Sequence, residues 1–175
     1  MKPSVAVVSL GCAKNLVDAE VMVGLLEQAG YRVVDDVERA EAVIVNTCAF
    51  IQPAVEEAVE ALLELSELKR QGCRALICAG CLPRRYGQEL ADQLPEVDAF
   101  LGPHEVGQVA EIVAAALAGR RVLRAAPPQY LMRADTPRRR SGAHWLAHVK
   151  IAEACDHRCG YCLIPHLRGR YRSRP

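Results

Sequence analysis

Ala42-Val43-Ile44-Val45-Asn46-Thr47-Cys48 is the stretch on which the reading of this chain turns. Ala42 to Val45 is solidly apolar and reads as a short buried strand, and a cysteine follows just past its end. The surrounding sequence repeats the theme. Val5 to Leu10, Tyr31 to Val34, Ala75 to Ala79 and Ala99 to Leu101 are further short apolar runs. Between them lie segments with apolar residues at helical spacing: Asn15 to Ala29, Pro53 to about Arg70, Arg84 to Leu94, and Glu105 to Ala118. Gly30, Gly72 and Gly119 stop three of these helices, and Pro53 suits a first helical turn. Strands alternating with helices of this length imply βαβ units, a mainly parallel sheet and right-handed crossovers.

The alternation fills residues 1–120, an α/β domain with helices on both faces of a parallel sheet. Pro127, Pro128, Pro137 and the Arg138-Arg139-Arg140 run break it, so 121–144 reads as a linker. Trp145 to Ile151 reads as a strand opening a second domain over 145–175. The charges divide along the same line. Residues 1–118 carry 9 basic and 18 acidic side chains, and residues 119–175 carry 13 basic and 3 acidic. Either the two parts attract each other, or the second meets an acidic or polyanionic partner, nucleic acid included.

The chain has 175 residues, 51% of them apolar, which is globular and not disordered composition. No apolar run approaches the ~18 residues of a membrane span. Lys2, Val5 to Val8 and Gly11-Cys12 imitate a lipoprotein signal, but the run is shorter than a signal peptide of roughly 15–30 residues requires. The eight cysteines are therefore expected to be free or metal-bound in a reducing cytoplasm.

Cys12, Cys48 and Cys81 are 36 and 33 residues apart, close to the length of one βαβ unit, and each follows a strand. All strand C-termini of a parallel sheet lie along one edge, so the three thiols are expected to converge there. Three thiolates suit a soft metal or an iron–sulfur cluster with one open position. The alternative is three small buried residues at strand ends. A structural zinc site would want a fourth ligand, and His104 alone stands after a strand end here. Cys78 lies inside a strand and Cys73 at the opposite sheet edge, so neither should reach the crevice.

Cys155-Asp-His-Arg-Cys159-Gly-Tyr-Cys162 is a stronger signal. Its C-x3-C-x2-C spacing can hold three irons of a [4Fe–4S] cube, leaving the fourth free to chelate S-adenosylmethionine. A zinc knuckle using His157 or His166 as fourth ligand, beside RNA-binding arginines, is the competing reading. Arg168, Arg170, Arg172 and Arg174 would share one face of a strand and could meet phosphate, a carboxylate or the acidic first domain.

The second motif resembles the radical S-adenosylmethionine superfamily, and Tyr161 matches its usual aromatic, cofactor-side position. Both constellations in this order resemble the methylthiotransferase family. Ser9-Leu-Gly-Cys12-Ala-Lys-Asn15-Leu-Val-Asp18, Asn46-Thr-Cys48-Ala-Phe-Ile, Ala79-Gly-Cys81-Leu, Lys150-Ile-Ala-Glu-Ala-Cys155 and Ile164-Pro-His-Leu-Arg-Gly-Arg-Tyr-Arg-Ser-Arg-Pro175 are similar to its RimO type. Relatives that modify tRNA typically carry Gln-Met-Asn after the first Gly-Cys.

The resemblance implies two [4Fe–4S] clusters, an auxiliary one on Cys12, Cys48 and Cys81 and a second on Cys155, Cys159 and Cys162. It implies S-adenosylmethionine as radical source and methyl donor, and no catalytic side chain beyond the cluster ligands. The implied reaction adds a methylthio group to the β-carbon of an aspartate in small-subunit ribosomal protein S-twelve, with contact to nucleic acid allowed but not required. It also implies that 145–175 opens a radical-enzyme (β/α) barrel whose remainder lies beyond this sequence, so that this chain alone should not catalyse. One position departs from the family pattern: Ala154 stands where Gly is usual.

Overall fold

The computed structural model describes residues 2–127 and 129–174. Pro128 and Pro175, named above in the linker and the last motif, lie outside the described residues. In chain order the elements are β1 (Ser4–Ser9), α1 (Ala13–Gln28), β2 (Arg32–Val33), β3 (Ala42–Thr47), α2 (Gln52–Ser66), β4 (Ala75–Gly80), α3 (Cys81–Gln93), β5 (Ala99–Leu101), α4 (Val109–Leu117) and β6 (Val122–Arg124). Then come β7 (Ala152–Glu153), α5 (Ile164–Arg168) and β8 (Arg172–Ser173).

The first six strands form one sheet in the order β2-β1-β3-β4-β5-β6, and every pairing is parallel. Strand periodicity sorts the core into two layers. Ala42, Ile44, Ala75 and Ile77 pack with Val17, Val21 and Leu26 of α1 and Ile112 and Val113 of α4. Val43, Val45, Leu76 and Phe100 pack on the other face with Val55, Ala58 and Leu62 of α2 and Leu82 and Leu90 of α3. The three-layer parallel architecture expected for the first domain is what the chain adopts. β3 and β4 are buried along their whole length. That is why they read as continuous apolar runs and not as alternating ones.

Several boundaries moved. The helix expected to run to Arg70 changes at Glu67 to a 3₁₀ turn ending at Gln71. The helix expected from Arg84 begins three residues earlier, at Cys81, and is kinked at Gly87. The sheet takes in Val122–Arg124, past the expected boundary at 120, because β5 offers a free parallel edge. Trp145 to Ile151 is not a strand. Only at its end does it meet a partner, the Ile151 carbonyl accepting from the Arg174 N–H at 2.8 Å beside β8, and among the described residues no ladder reaches back from there; Trp145, Leu146, Val149 and Ile151 are exposed. The strand there is Ala152–Glu153, paired antiparallel with β8.

The segment read as a linker lies on the first domain. Met132 joins the core layer of α1 and α4. The Pro137–Arg138 backbone passes 2.7 Å from where a Cβ on Gly24 would stand, so only glycine fits there. Arg138 pairs with the buried Glu20, and Ser141 donates to Glu20 through both its N–H and its hydroxyl. Burial alone would raise the Glu20 pKa. The Ser141 and Arg138 hydrogen bonds outweigh it and hold this carboxyl below its ordinary value.

Candidate metal centre at the sheet edge

The strand order reverses direction between β1 and β3. From β1 the chain crosses by α1 to β2 on one side, and from β3 it crosses by α2 to β4 on the other, with α1 and α2 on opposite faces. The loops leaving β1 and β3 diverge, and a crevice opens at the strands' C-terminal ends, where ligands bind in such sheets. Cys12, Cys48 and Cys81 all line one cavity there, of about 690 Å³, together with Phe50, Ile51 and Arg168.

Register explains the convergence. Thr47 stands opposite Gly80, so the residues that follow, Cys48 and Cys81, leave neighbouring strands side by side. Cys12 precedes the first turn of α1 and Cys81 opens α3. Both therefore lie where helix N–H groups favour negative charge. Gly11 has φ +89, and a Cβ on it would fall less than 3.0 Å from Cys48 Cβ and 3.3 Å from its Sγ. The chain can pass this close to Cys48 only as glycine.

Buried polar residues bolt the edge together. Asn15 Nδ2 donates to the carbonyls of Leu10 at 3.1 Å and Thr47 at 2.8 Å, which ties the β1–α1 loop to the end of β3. Asn46 Nδ2 donates back to the Asn15 carbonyl at 2.7 Å. Thr47 Oγ1 donates to the Ala79 carbonyl at 2.6 Å, joining β3 to β4. These residues were visible in the sequence as parts of the quoted motifs, but no role could be given them before the sheet order was known.

None of the eight cysteines is in a disulfide. Cys78 is buried mid-strand, and burial pushes its thiol up to about 12. Cys73 is buried at the opposite sheet edge and donates to the Ala75 carbonyl. Neither lines the cavity. Burial also raises the Cys81 pKa, with Arg168 pulling against it.

Among the described residues, no group of three His, Cys, Asp or Glu is placed to hold one metal ion. A single zinc with Zn–S bonds of ~2.3 Å needs its sulfurs about 4 Å apart. An iron–sulfur cluster puts each thiolate on a different iron and needs room between them, and three cysteines on the wall of one cavity of about 690 Å³ fit that donor set. His104 does not line this cavity. It is buried with neither ring nitrogen hydrogen-bonded among the described residues, and burial lowers its pKa to about 4.

Cys155, Cys159 and Cys162 lie in the loop from β7 to α5, half-buried or exposed, with the Cys162 N–H donating to the Cys159 carbonyl at 3.0 Å. Tyr161 beside them is exposed. The loop is entered through Ala154, whose φ of +62 is the sole positive value at a non-glycine among the described residues. The four-arginine strand face is not formed, because Arg168 ends helix α5 and is completely buried. There it meets carboxylates, and Lys150 joins it. Arg168 Nη2 donates to Asp18 Oδ2 at 2.9 Å and its Nη1 to both Glu153 oxygens, while Lys150 pairs with Asp18 and Glu153. Lys14 Nζ adds a hydrogen bond of 2.9 Å to the Ala152 carbonyl. This network fastens the second cysteine loop onto α1, and Ile164, Leu167 and Arg168 of α5 complete the cavity wall of the first.

Residues 4–102 match the family model described as Uncharacterized protein family UPF0004. A protein of Heliobacterium modesticaldum named "Ribosomal protein uS12 methylthiotransferase RimO" is 54% identical over 169 residues, 96% of this chain and 37% of that protein. The protein of the same name from Trichlorobacter lovleyi is 51% identical over 99% of this chain and 39% of its own length. That from Myxococcus xanthus is 46% identical over 98% of this chain and 36% of its own. The chain belongs to the RimO-type methylthiotransferase family. It spans less than two-fifths of the length of these RimO relatives. The family model reaches Cys12, Cys48 and Cys81, and the RimO relatives align over nearly all of the chain.

Proposed function

We propose that this chain carries the two iron–sulfur sites of a radical S-adenosylmethionine methylthiotransferase that modifies an aspartate β-carbon of ribosomal protein S-twelve in the cytoplasm. The observation that carries this reading is the meeting of Cys12, Cys48 and Cys81 in one cavity of a RimO-type chain. Cys12, Cys48 and Cys81 would hold the auxiliary cluster, and Cys155, Cys159 and Cys162 the one facing S-adenosylmethionine, with Tyr161 beside the latter. When bound, these groups supply a carbon-centred radical and an open iron at which sulfur can be held, as removal of hydrogen from an unactivated carbon requires.

The chain's own residues do the holding. Asn15 and Thr47 fix the three strand ends that carry the thiols. Phe50, Ile51, Ile164 and Leu167 make the cavity wall largely apolar. Residues 145–174 would open the (β/α) barrel, with β7 its first strand. The RimO names of the relatives, with Lys14 and Asn15 after Gly11-Cys12, favour protein over tRNA as substrate.

The test has two parts. Anaerobically reconstituted protein should carry iron and sulfide for two clusters, and changing Cys12, Cys48 or Cys81 to Ala should remove one cluster's worth. Deleting the gene from its host should strip the methylthio group from ribosomal protein S-twelve and leave tRNA unaltered. Full iron in all three variants, or loss from tRNA instead, would sink the corresponding half.

A further inference from the structure

A buried cation stands against the three-cysteine cavity. Arg168 lines it and is only 2% exposed. Its Nη2 donates to Asn15 Oδ1 at 3.1 Å, and that same oxygen accepts from the Cys12 thiol at 3.7 Å. Cys48 and Cys81 line the same cavity as the guanidinium. One side chain thus reaches the Cys12 thiol through one shared oxygen and shares the cavity wall with the other two thiols. Its other bonds, to Asp18 and Glu153, fix the plane of the guanidinium.

Lys150 pairs with the same two carboxylates, and Lys14 stands 3.9 Å from Glu153. Glu57 also lines the cavity, so three cations stand with three carboxylates around it, and Arg168 is the buried cation on its wall. A guanidinium stays protonated throughout the pH range in which the protein folds, so this charge is permanent. Net charge, hydrogen bonds to sulfur and burial are the levers that set an iron–sulfur potential, and Arg168 brings the charge and the burial.

We propose that Arg168 is a positioning residue that raises the reduction potential of the cluster held by Cys12, Cys48 and Cys81. It does so by keeping a fixed positive charge on the Cys12–Cys81 side of the cavity. The proposal rests on the cluster reading above. A one-electron reduction adds negative charge to the cluster, and a buried cation favours the reduced form. Arg168 lies six residues after Cys162, so the chain that carries the second cysteine set supplies this charge to the first.

The experiment is a redox titration with dithionite and mediators, followed by electron paramagnetic resonance, in chains whose Cys155, Cys159 and Cys162 are all Ala so that one cluster is read. R168Q should shift the potential downward, and R168K, which keeps the charge, should recover most of the shift. D18N breaks the same Arg168–Asp18 bond but removes an anion, so its potential should rise. A merely structural Arg168 would make R168Q and D18N shift alike or lose iron without any shift, and either result overturns the proposal. If R168Q does not fold, R168K and D18N decide, and a D18N potential at or below the parent's overturns it. Iron and sulfide in the parent separate the two readings. A parent without a cluster defeats the cluster reading, whereas a loaded parent whose potential is the same in R168Q defeats only the role of Arg168.

Discussion

Gly11→Ala tests how the thiols are brought together. The new methyl group would stand less than 3.0 Å from Cys48 Cβ, and Cys48 leaves a fully buried strand and cannot retreat cheaply. Overpacking of this kind costs about 1–3 kcal/mol. The backbone at φ +89 adds roughly 1–2 kcal/mol for any residue with a Cβ. Gly72→Ala is the matched control: φ there is +117, and nothing lies within 4 Å of the added Cβ. Its loss should be the backbone cost alone, roughly 1–2 kcal/mol. Both substitutions restrict the unfolded chain equally, so that effect cancels in the difference. Urea unfolding of the metal-free, reduced proteins should therefore find Gly11→Ala less stable than Gly72→Ala by about 1–3 kcal/mol. Anaerobic reconstitution should also find iron lost at the first site in Gly11→Ala and kept in Gly72→Ala, because only the former forces Cys12 and Cys48 apart. Equal losses of stability with full iron in both would refute the reasoning that close backbone approach builds this site.

Ala154→Gly should tighten the second cysteine loop, since Ala pays about 1 kcal/mol at φ +62; amide exchange in β7 and β8 should slow about fivefold, and unchanged exchange would count against it. Stability should fall on acidification from pH 6.5 to about 4, because His104 takes up a proton only in the unfolded chain across that window. The loss should be on the order of 3 kcal/mol and largely absent in His104→Leu. Further loss should follow at lower pH as Glu20 and Glu153, whose carboxyls are held low by Ser141 and Arg138 and by Lys150 and Arg168, take up protons in turn; an unaltered slope in His104→Leu would contradict the assignment of the first phase. Iodoacetamide on the native metal-free chain should label the exposed Cys12 and Cys159 first and Cys78 last, while Cys78→Ala should cost about 1 kcal/mol and no iron.

The sequence by itself determined the parallel α/β class, because Ala42 to Val45 and Ala75 to Ala79 are continuous apolar runs separated by one amphipathic crossover. It also determined which three cysteines share an edge, since a cysteine just past each of three parallel strands has nowhere else to go. The same reasoning excluded Cys73 and Cys78. Periodicity misplaced the strand at Trp145 to Ile151: pairing with the β8 segment begins at Ile151 and continues into β7, because a strand is stable only where another pairs with it. For Arg168 the strand was wrong and the carboxylate partner right. Spacing at every second residue put four arginines on one strand face, open to phosphate, a carboxylate or the acidic first domain; the chain instead closes a short helix at Arg168 and buries it against Asp18 and Glu153. Asp18 and Arg168 are 150 residues apart. Only the packing of α5 and α1 on the sheet edge decides that they meet, and a buried ion pair between distant segments leaves no periodic trace in either one.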